Sequence, residues 1–158
     1  EPVPKGERAA MVIDYLRAWS VESPGRGARV YQTAGGFRYM ILSPRLAPDS
    51  EETAALMARL EADRLYAVLC RAQKCFRARL TPKPWRIGMQ GGHIGWENFH
   101  ASSARVDAWL REYAQRSAGY AVCRLIDEVG DAAVRDEDTS RVVRLHDEAT
   151  LREGLPLA

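Results

Sequence analysis

Arg71, Lys74, Arg77, Arg79, Lys83 and Arg86 fall within sixteen consecutive positions, interleaved with Phe76 and Trp85. Bases at this density can meet a run of phosphates or carboxylates, and flat rings among them can receive unstacked bases, as in grooves for single-stranded nucleic acid. Residues 23–48 and 64–96 contain no Asp or Glu and hold eleven of the 23 bases, nine of them Arg, while all 21 acids lie elsewhere. A net charge of +2 therefore conceals a strong separation of sign along the chain. Arg pairs bidentately with phosphate or carboxylate, which Lys cannot do. If both windows reach one face, with Arg38 from the first beside the six of the second, that face attracts anions. The competing arrangement pairs these arginines with acidic helices of the same domain, since ion-pair networks also collect charge.

Other chemistry is thinner. His93 follows Gly91-Gly92 in a glycine- and aromatic-rich stretch, residues 85–100, which reads as a long loop. Such a histidine could serve as acid or base beside an Arg77 or Arg79 clamp, giving an enzyme for a small phosphorylated or carboxylated substrate. No nucleophile elbow and no phosphate-binding glycine motif accompanies it. Cys70, Cys75, Cys123, His93 and His100 lack zinc-type spacing, so neither a metal nor a cofactor is expected. His146 sits on the expected apolar stripe of the last helix and reads as packed and hydrogen-bonded. Asp127 and Glu128 are adjacent on a strand and point to opposite faces, while Asp136, Glu137 and Asp138 suit a helix start.

The elements that must position these residues follow from periodicity. Residues 11–16 are compatible with helix or strand. Trp19 to Glu22, Arg29 to Thr33 and Phe37 to Ser43, separated by glycine turns, read as an antiparallel meander. Ser50 and the acids after it open a helix with Thr53, Leu56, Met57 and Leu60 on one stripe. Leu65, Val68, Leu69 and Ala72 continue as the apolar stripe of a second helix. Residues 75–81 alternate with period two, placing Arg77 and Arg79 on one strand face and Phe76, Ala78 and Leu80 on the other, before Pro82 and Pro84 end the strand. Ser102 or Ser103 caps a helix with Val106, Trp109, Leu110 and Tyr113 inward. Residues 120–129 read as a strand, and a last helix opens at Asp138 or Thr139 with Val142, Leu145, His146 and Ala149 on one side. The order mixes strands and helices without strict alternation, so the expected fold is α+β, a mostly antiparallel sheet with helices packed mainly on one face. Residues 1–8 read as a polar tail and residues 9–158 as a single domain.

At 158 residues with 46% hydrophobic content, the chain can bury a full core without staples. No apolar run approaches the roughly 20 residues of a membrane span. Three cysteines in a domain of this size suggest a reducing compartment and a cytoplasmic location. Opening at Glu1 rather than at a methionine leaves room for an upstream segment.

Two resemblances add to this reading. Residues 69–86, LCRAQKCFRARLTPKPWR, with residues 117–125, SAGYAVCRL, resemble a bacterial protein family to which no activity is attached. More remotely, residues 30–38 followed by residues 76–83 are similar in strand order to archaeo-eukaryotic primase-polymerase domains. Those carry two alternating carboxylates on one strand and a histidine after a glycine turn. Here Asp14 has no second acid at position 16, and Arg38 stands in the histidine's place. Two-metal phosphoryl transfer needs paired carboxylates, so the resemblance implies a related fold that binds without polymerising.

Together these point to a non-catalytic module for an anionic partner, nucleic acid foremost, with Arg38, Arg71, Lys74, Arg77, Arg79, Lys83 and Arg86 as contacts. The alternatives are the His93 enzyme and a structural interaction domain of a larger protein that binds a protein partner.

Overall fold

In the computed structural model, residues 5–89, 103–133 and 136–158 are described. Strands β1 (Gly27–Thr33) and β2 (Phe37–Ser43) form a hairpin. The Thr33 amide donates to the Gly36 carbonyl at 2.8 Å, and the Thr33 hydroxyl accepts from the Gly36 amide at 3.1 Å. Strand β3 (Cys123–Gly130) adds to the other edge of β1, giving the order β2-β1-β3 with both pairings antiparallel. The fold is α+β around this sheet, with five α-helices among the described residues. Trp19 to Glu22, expected to begin the meander, instead ends a helix, and the third strand comes from far along the chain.

Alternation along β1 divides the sheet's two faces. Ala28 and Val30 are buried beneath α1 (Lys5–Val21) and α2 (Glu51–Arg59), in a core with Leu16, Trp19, Leu56, Leu60 and Val129. Val12, Ile13, Leu16 and Trp19 all turn toward this core at helical spacing, which settles the ambiguous segment as helix. The same helix begins at Lys5, inside the stretch read as a tail. At the far end of the sheet Gly27 pairs with Gly130, and a Cβ on Gly27 would overlap the Asp131 carbonyl oxygen. A Gly27→Ala variant should lose about 2 kcal/mol in a denaturant titration, because the clash is with backbone that cannot rotate away. A loss below roughly 0.5 kcal/mol would refute this close approach.

α2 begins where expected, with the Ser50 hydroxyl accepting from the Thr53 amide at 3.1 Å. α3 (Arg64–Gln73) is capped by Asp63, whose carboxylate accepts from the Tyr66 amide at 2.8 Å. Its expected buried stripe is solvent-facing instead. Leu65 is 67% and Val68 63% exposed, Leu69 and Ala72 are exposed too, and Cys70 is the buried residue. Three strands offer only two faces, and α1 with α2 take one while the last helix takes the other, so none is left for α3. A groove of about 310 Å³ runs between α2 and α3, lined by Ala54, Met57, Ala67 and Val68 among others.

Residues 75–81 form no strand. The alternating pattern is present, but among the described residues no ladder partner meets it, and other groups take some of its backbone atoms. The strap then enters a 3₁₀ turn, Pro84–Ile87, whose Ile87 packs with Met89 and Ala158 against Trp109, Tyr113 and Tyr120. Trp109 and Tyr113 belong to α4 (Ser103–Ser117), on which Val106 is buried while Leu110 is exposed. Helix α5 (Glu137–Thr150) starts one or two positions earlier than expected because Asp136 is its cap, accepting from the Thr139 amide at 2.8 Å. Its buried stripe is Val143, His146 and Thr150, whereas Val142 and Leu145 are exposed. The inward face of α5 is therefore largely polar.

Candidate functional site

That polar face meets Arg29 and Tyr31, which alternate with Ala28 and Val30 and so project to the opposite side of β1. Asp147 collects three donors: the Tyr31 hydroxyl at 2.8 Å, the His146 Nδ1 at 2.9 Å, and Arg29 at 3.0 Å. Arg29 also lies 3.4 Å from Glu128 across the β1–β3 pairing. Arg38, paired with Tyr31 in the β1–β2 register, reaches His146 Nε2 at 2.7 Å. A guanidinium can only donate, so Nε2 carries the lone pair and Nδ1 carries the proton given to Asp147. His146 is thus a neutral imidazole with a fixed tautomer, 3% exposed, its ring edge-on to Tyr31 at 4.6 Å.

Cys123, His146 and Asp147 lie in the sequence of contacts used by thiol nucleophiles, with Cys123 Sγ 4.0 Å from His146 Nε2. The arrangement cannot act as one. Arg38 occupies the lone pair that would take the thiol proton, and Cys123 donates instead to the Thr150 hydroxyl at 3.2 Å. Burial pushes the Cys123 thiol above its ordinary value, and only 1% of the residue is exposed. The cluster ties α5 to the sheet.

Burial depresses the His146 pKa below its ordinary 6.5; the Asp147 carboxylate opposes this, while Arg38 and Arg29 add to it. Tyr31 and Cys123 are the other titratable groups facing the ring. The unfolded chain then binds the proton more tightly than the folded one, so this contribution to stability is present above pH 6.5 and is lost as pH falls below it. Thermal unfolding midpoints should be level from about pH 8 to about 7 and fall toward pH ~5, and the fall should be shallower in His146→Gln. Equal slopes for the two proteins would remove His146 as the cause.

The eleven bases of the acid-free windows divide sharply in space. In the first window Arg26 pairs with Glu22 at 2.9 Å, Arg29 with Asp147 and Glu128, and Arg45 with Asp138 at 3.1 Å. Arg38, expected on the anion-attracting face, points inward to His146 and donates to the Arg79 carbonyl at 2.9 Å. Two residues of the second window are also occupied. Arg71 meets Glu51 at 2.8 Å and Lys74 meets Asp49 at 3.2 Å, so the acids at the start of α2 cover the end of α3. The windows do not converge on one open face.

What remains is Arg64 at the start of α3, exposed and without a carboxylate partner among the described residues, and the strap after α3. Arg77 and Arg79 are exposed, and among the described residues neither side chain has a carboxylate partner; the same holds for Lys83 and Arg86. Lys83 Nζ stands 5.0 Å from the Trp85 ring centroid, and the Arg86 guanidinium lies against Gly35 of the hairpin turn. Phe76 is 46% and Trp85 62% exposed. The strap is held along its length. Cys75 N–H donates to the Cys70 carbonyl, Arg77 N–H to the Tyr66 hydroxyl at 3.3 Å, and the Pro82 carbonyl accepts from Tyr113 at 2.6 Å. Burial and the nearby Cys70 thiol push the Tyr66 phenol up to about 12.

His93 and His100 lie outside the described residues. Another groove, about 630 Å³, runs along the outer side of α5 beside Arg45, Arg141 and Arg144, away from the strap. Among the described residues no cluster of His, Cys, Asp and Glu is placed to hold a metal, and no helix is long and apolar enough to cross a membrane. The role of Arg38 and His146 in a shared network was hidden from the sequence, although the i, i+4 pairing of His146 with Thr150 on one helix face was a signal. The chain matches no family model, no curated protein and no solved structure.

Proposed function

We propose that this domain binds single-stranded nucleic acid along the strap of residues 76–86. The observation that supports this reading is a non-helical segment, closing in a 3₁₀ turn, whose bases, exposed at Arg77 and Arg79 and half-buried at Lys83 and Arg86, lack carboxylate partners among the described residues and which displays two aromatic rings. Arg77, Arg79, Lys83 and Arg86 meet phosphates, and Phe76 and Trp85 stack on bases, a contact a paired duplex does not offer. Arg38, Arg71 and Lys74 drop out as contacts because their charge is already engaged within the chain. Three free cysteines suit a reducing compartment such as the cytoplasm.

Fluorescence anisotropy with a labelled single strand of about 12 nucleotides tests the reading, since four phosphate contacts give a log–log salt slope of about −3. Binding that ignores salt, or a duplex held as tightly as the single strand, would overturn it.

A further inference from the structure

α3 closes in a left-handed turn at Lys74 (φ 48°, ψ 38°), and the Cys75 amide donates back to the Cys70 carbonyl at 3.3 Å. The Lys74 amide bonds the same carbonyl, and the six-to-one bond from Cys75 is the one found in Schellman closures, in which the residues at its two ends commonly bring their side chains into contact. Here both ends are cysteine. With ordinary bond lengths the 3.3 Å link keeps their α-carbons within about 7.5 Å even if it were straight, and its bends bring them toward the ~4.4–6.8 Å that a disulfide spans.

We propose that Cys70 and Cys75 are a redox-active thiol pair, bridged by peroxide oxidation, that sets how firmly the strap is held to α3. Cys75 is partly exposed and Cys70 is 1% exposed, which assigns the order of events. The Cys75 thiol gives up its proton and the thiolate attacks a peroxide oxygen; with hydrogen peroxide the O–O bond breaks, leaving a sulfenic acid and a hydroxide that takes up that proton as one water. The Cys70 thiolate then attacks the Cys75 sulfur, the S–O bond breaks, and the departing hydroxide takes a proton as the second water. A dithiol reductant returns two electrons and two protons to restore both thiols. Cys123 is excluded by its place between the sheet and α5, where it bonds to Thr150 and lies beside His146 and not at the end of α3.

The consequence falls on the neighbouring residues. Cys75 precedes Phe76, and Tyr66, one turn before Cys70 on α3, already takes the Arg77 amide. A covalent link at Cys75 fixes the strap's first residues to the helix, slowing exchange of the Phe76 and Arg77 amides. The bridge itself stands apart from the nucleic-acid reading, while its effect on binding rests on that reading.

The experiment treats the full chain with excess hydrogen peroxide, then alkylates the remaining thiols and maps peptides. The expected product is monomeric, lighter by two hydrogens, joined between Cys70 and Cys75, with Cys123 alone alkylated. Cys75→Ser should form no bridge, and Cys70→Ser should accumulate a sulfenic acid trapped by dimedone. Amide exchange at Phe76 and Arg77 should slow about threefold or more in the bridged form. Intermolecular dimers, a bridge involving Cys123, or over-oxidised Cys75 beside an intact Cys70 would overturn the pair. A bridge that leaves exchange unchanged would overturn its hold on the strap. With oligonucleotide, a bridged form whose affinity differs from the reduced form by about threefold or more supports the coupling. If the bridge forms and neither state binds oligonucleotide, the nucleic-acid reading fails and the redox pair stands.

Discussion

Asp147→Ala should destabilise the fold by about 3 kcal/mol, at the lower end of the ~3–5 kcal/mol typical when one partner of a buried ion pair is removed. Three donors lose their acceptor at once: Arg29, Tyr31 and the Nδ1 of His146. Arg29 keeps Glu128 at 3.4 Å, which limits the loss. Tyr31 is fully buried and His146 nearly so, so water cannot replace the missing carboxylate without entering the interface. Asp147→Asn retains one oxygen acceptor and should cost roughly half as much. Urea denaturation of the two variants measures both numbers, and a loss below about 1 kcal/mol for Asp147→Ala would show that α5 is held to the sheet by its apolar contacts alone. A double-mutant cycle with Arg29→Met isolates the ionic part.

The second large effect is on binding. An Arg77→Ala, Arg79→Ala double variant should bind a single-stranded oligonucleotide about tenfold to a hundredfold more weakly and lose roughly 1.4 units of salt slope. Its unfolding midpoint should not move, because both side chains are exposed and neither has a partner among the described residues. The informative control is Arg71→Ala with Lys74→Ala. These bases lie equally close in sequence and carry the same formal charge, but Glu51 and Asp49 neutralise them. Their removal should leave the slope within about 0.5 units of the parent. If the two double variants behave alike, binding follows net charge and the strap has no special role.

Resemblance to primase-polymerase domains implied a strand around Asp14, and in the structure residues 5–21 are helical with Asp14 beside Arg17 at 3.7 Å. That segment shows how far periodicity carries. Val12, Ile13, Leu16 and Trp19 fit a helix, yet a six-residue apolar run fits a strand equally well until a sheet is present to receive one face.

Local chemistry was legible where a single residue controls a local bond. Ser50 and the acids behind it announce α2, and the glycines after Ala34 announce the hairpin between β1 and β2. The density of bases in residues 71–86 was equally plain in the sequence. What those bases face was not. Charge is a property of a residue, whereas neutralisation depends on which distant carboxylate the fold delivers: Glu51 to Arg71, Asp49 to Lys74, Asp147 to Arg29. Burial has the same character. The stripes of α3 and α5 have helical period, but which side of each helix meets protein depends on how many sheet faces exist and which helix occupies them. Residues 75–81 alternate like a strand and, among the described residues, lack only a neighbour to pair with, since a strand is completed by hydrogen bonds to another segment and not by its own sequence.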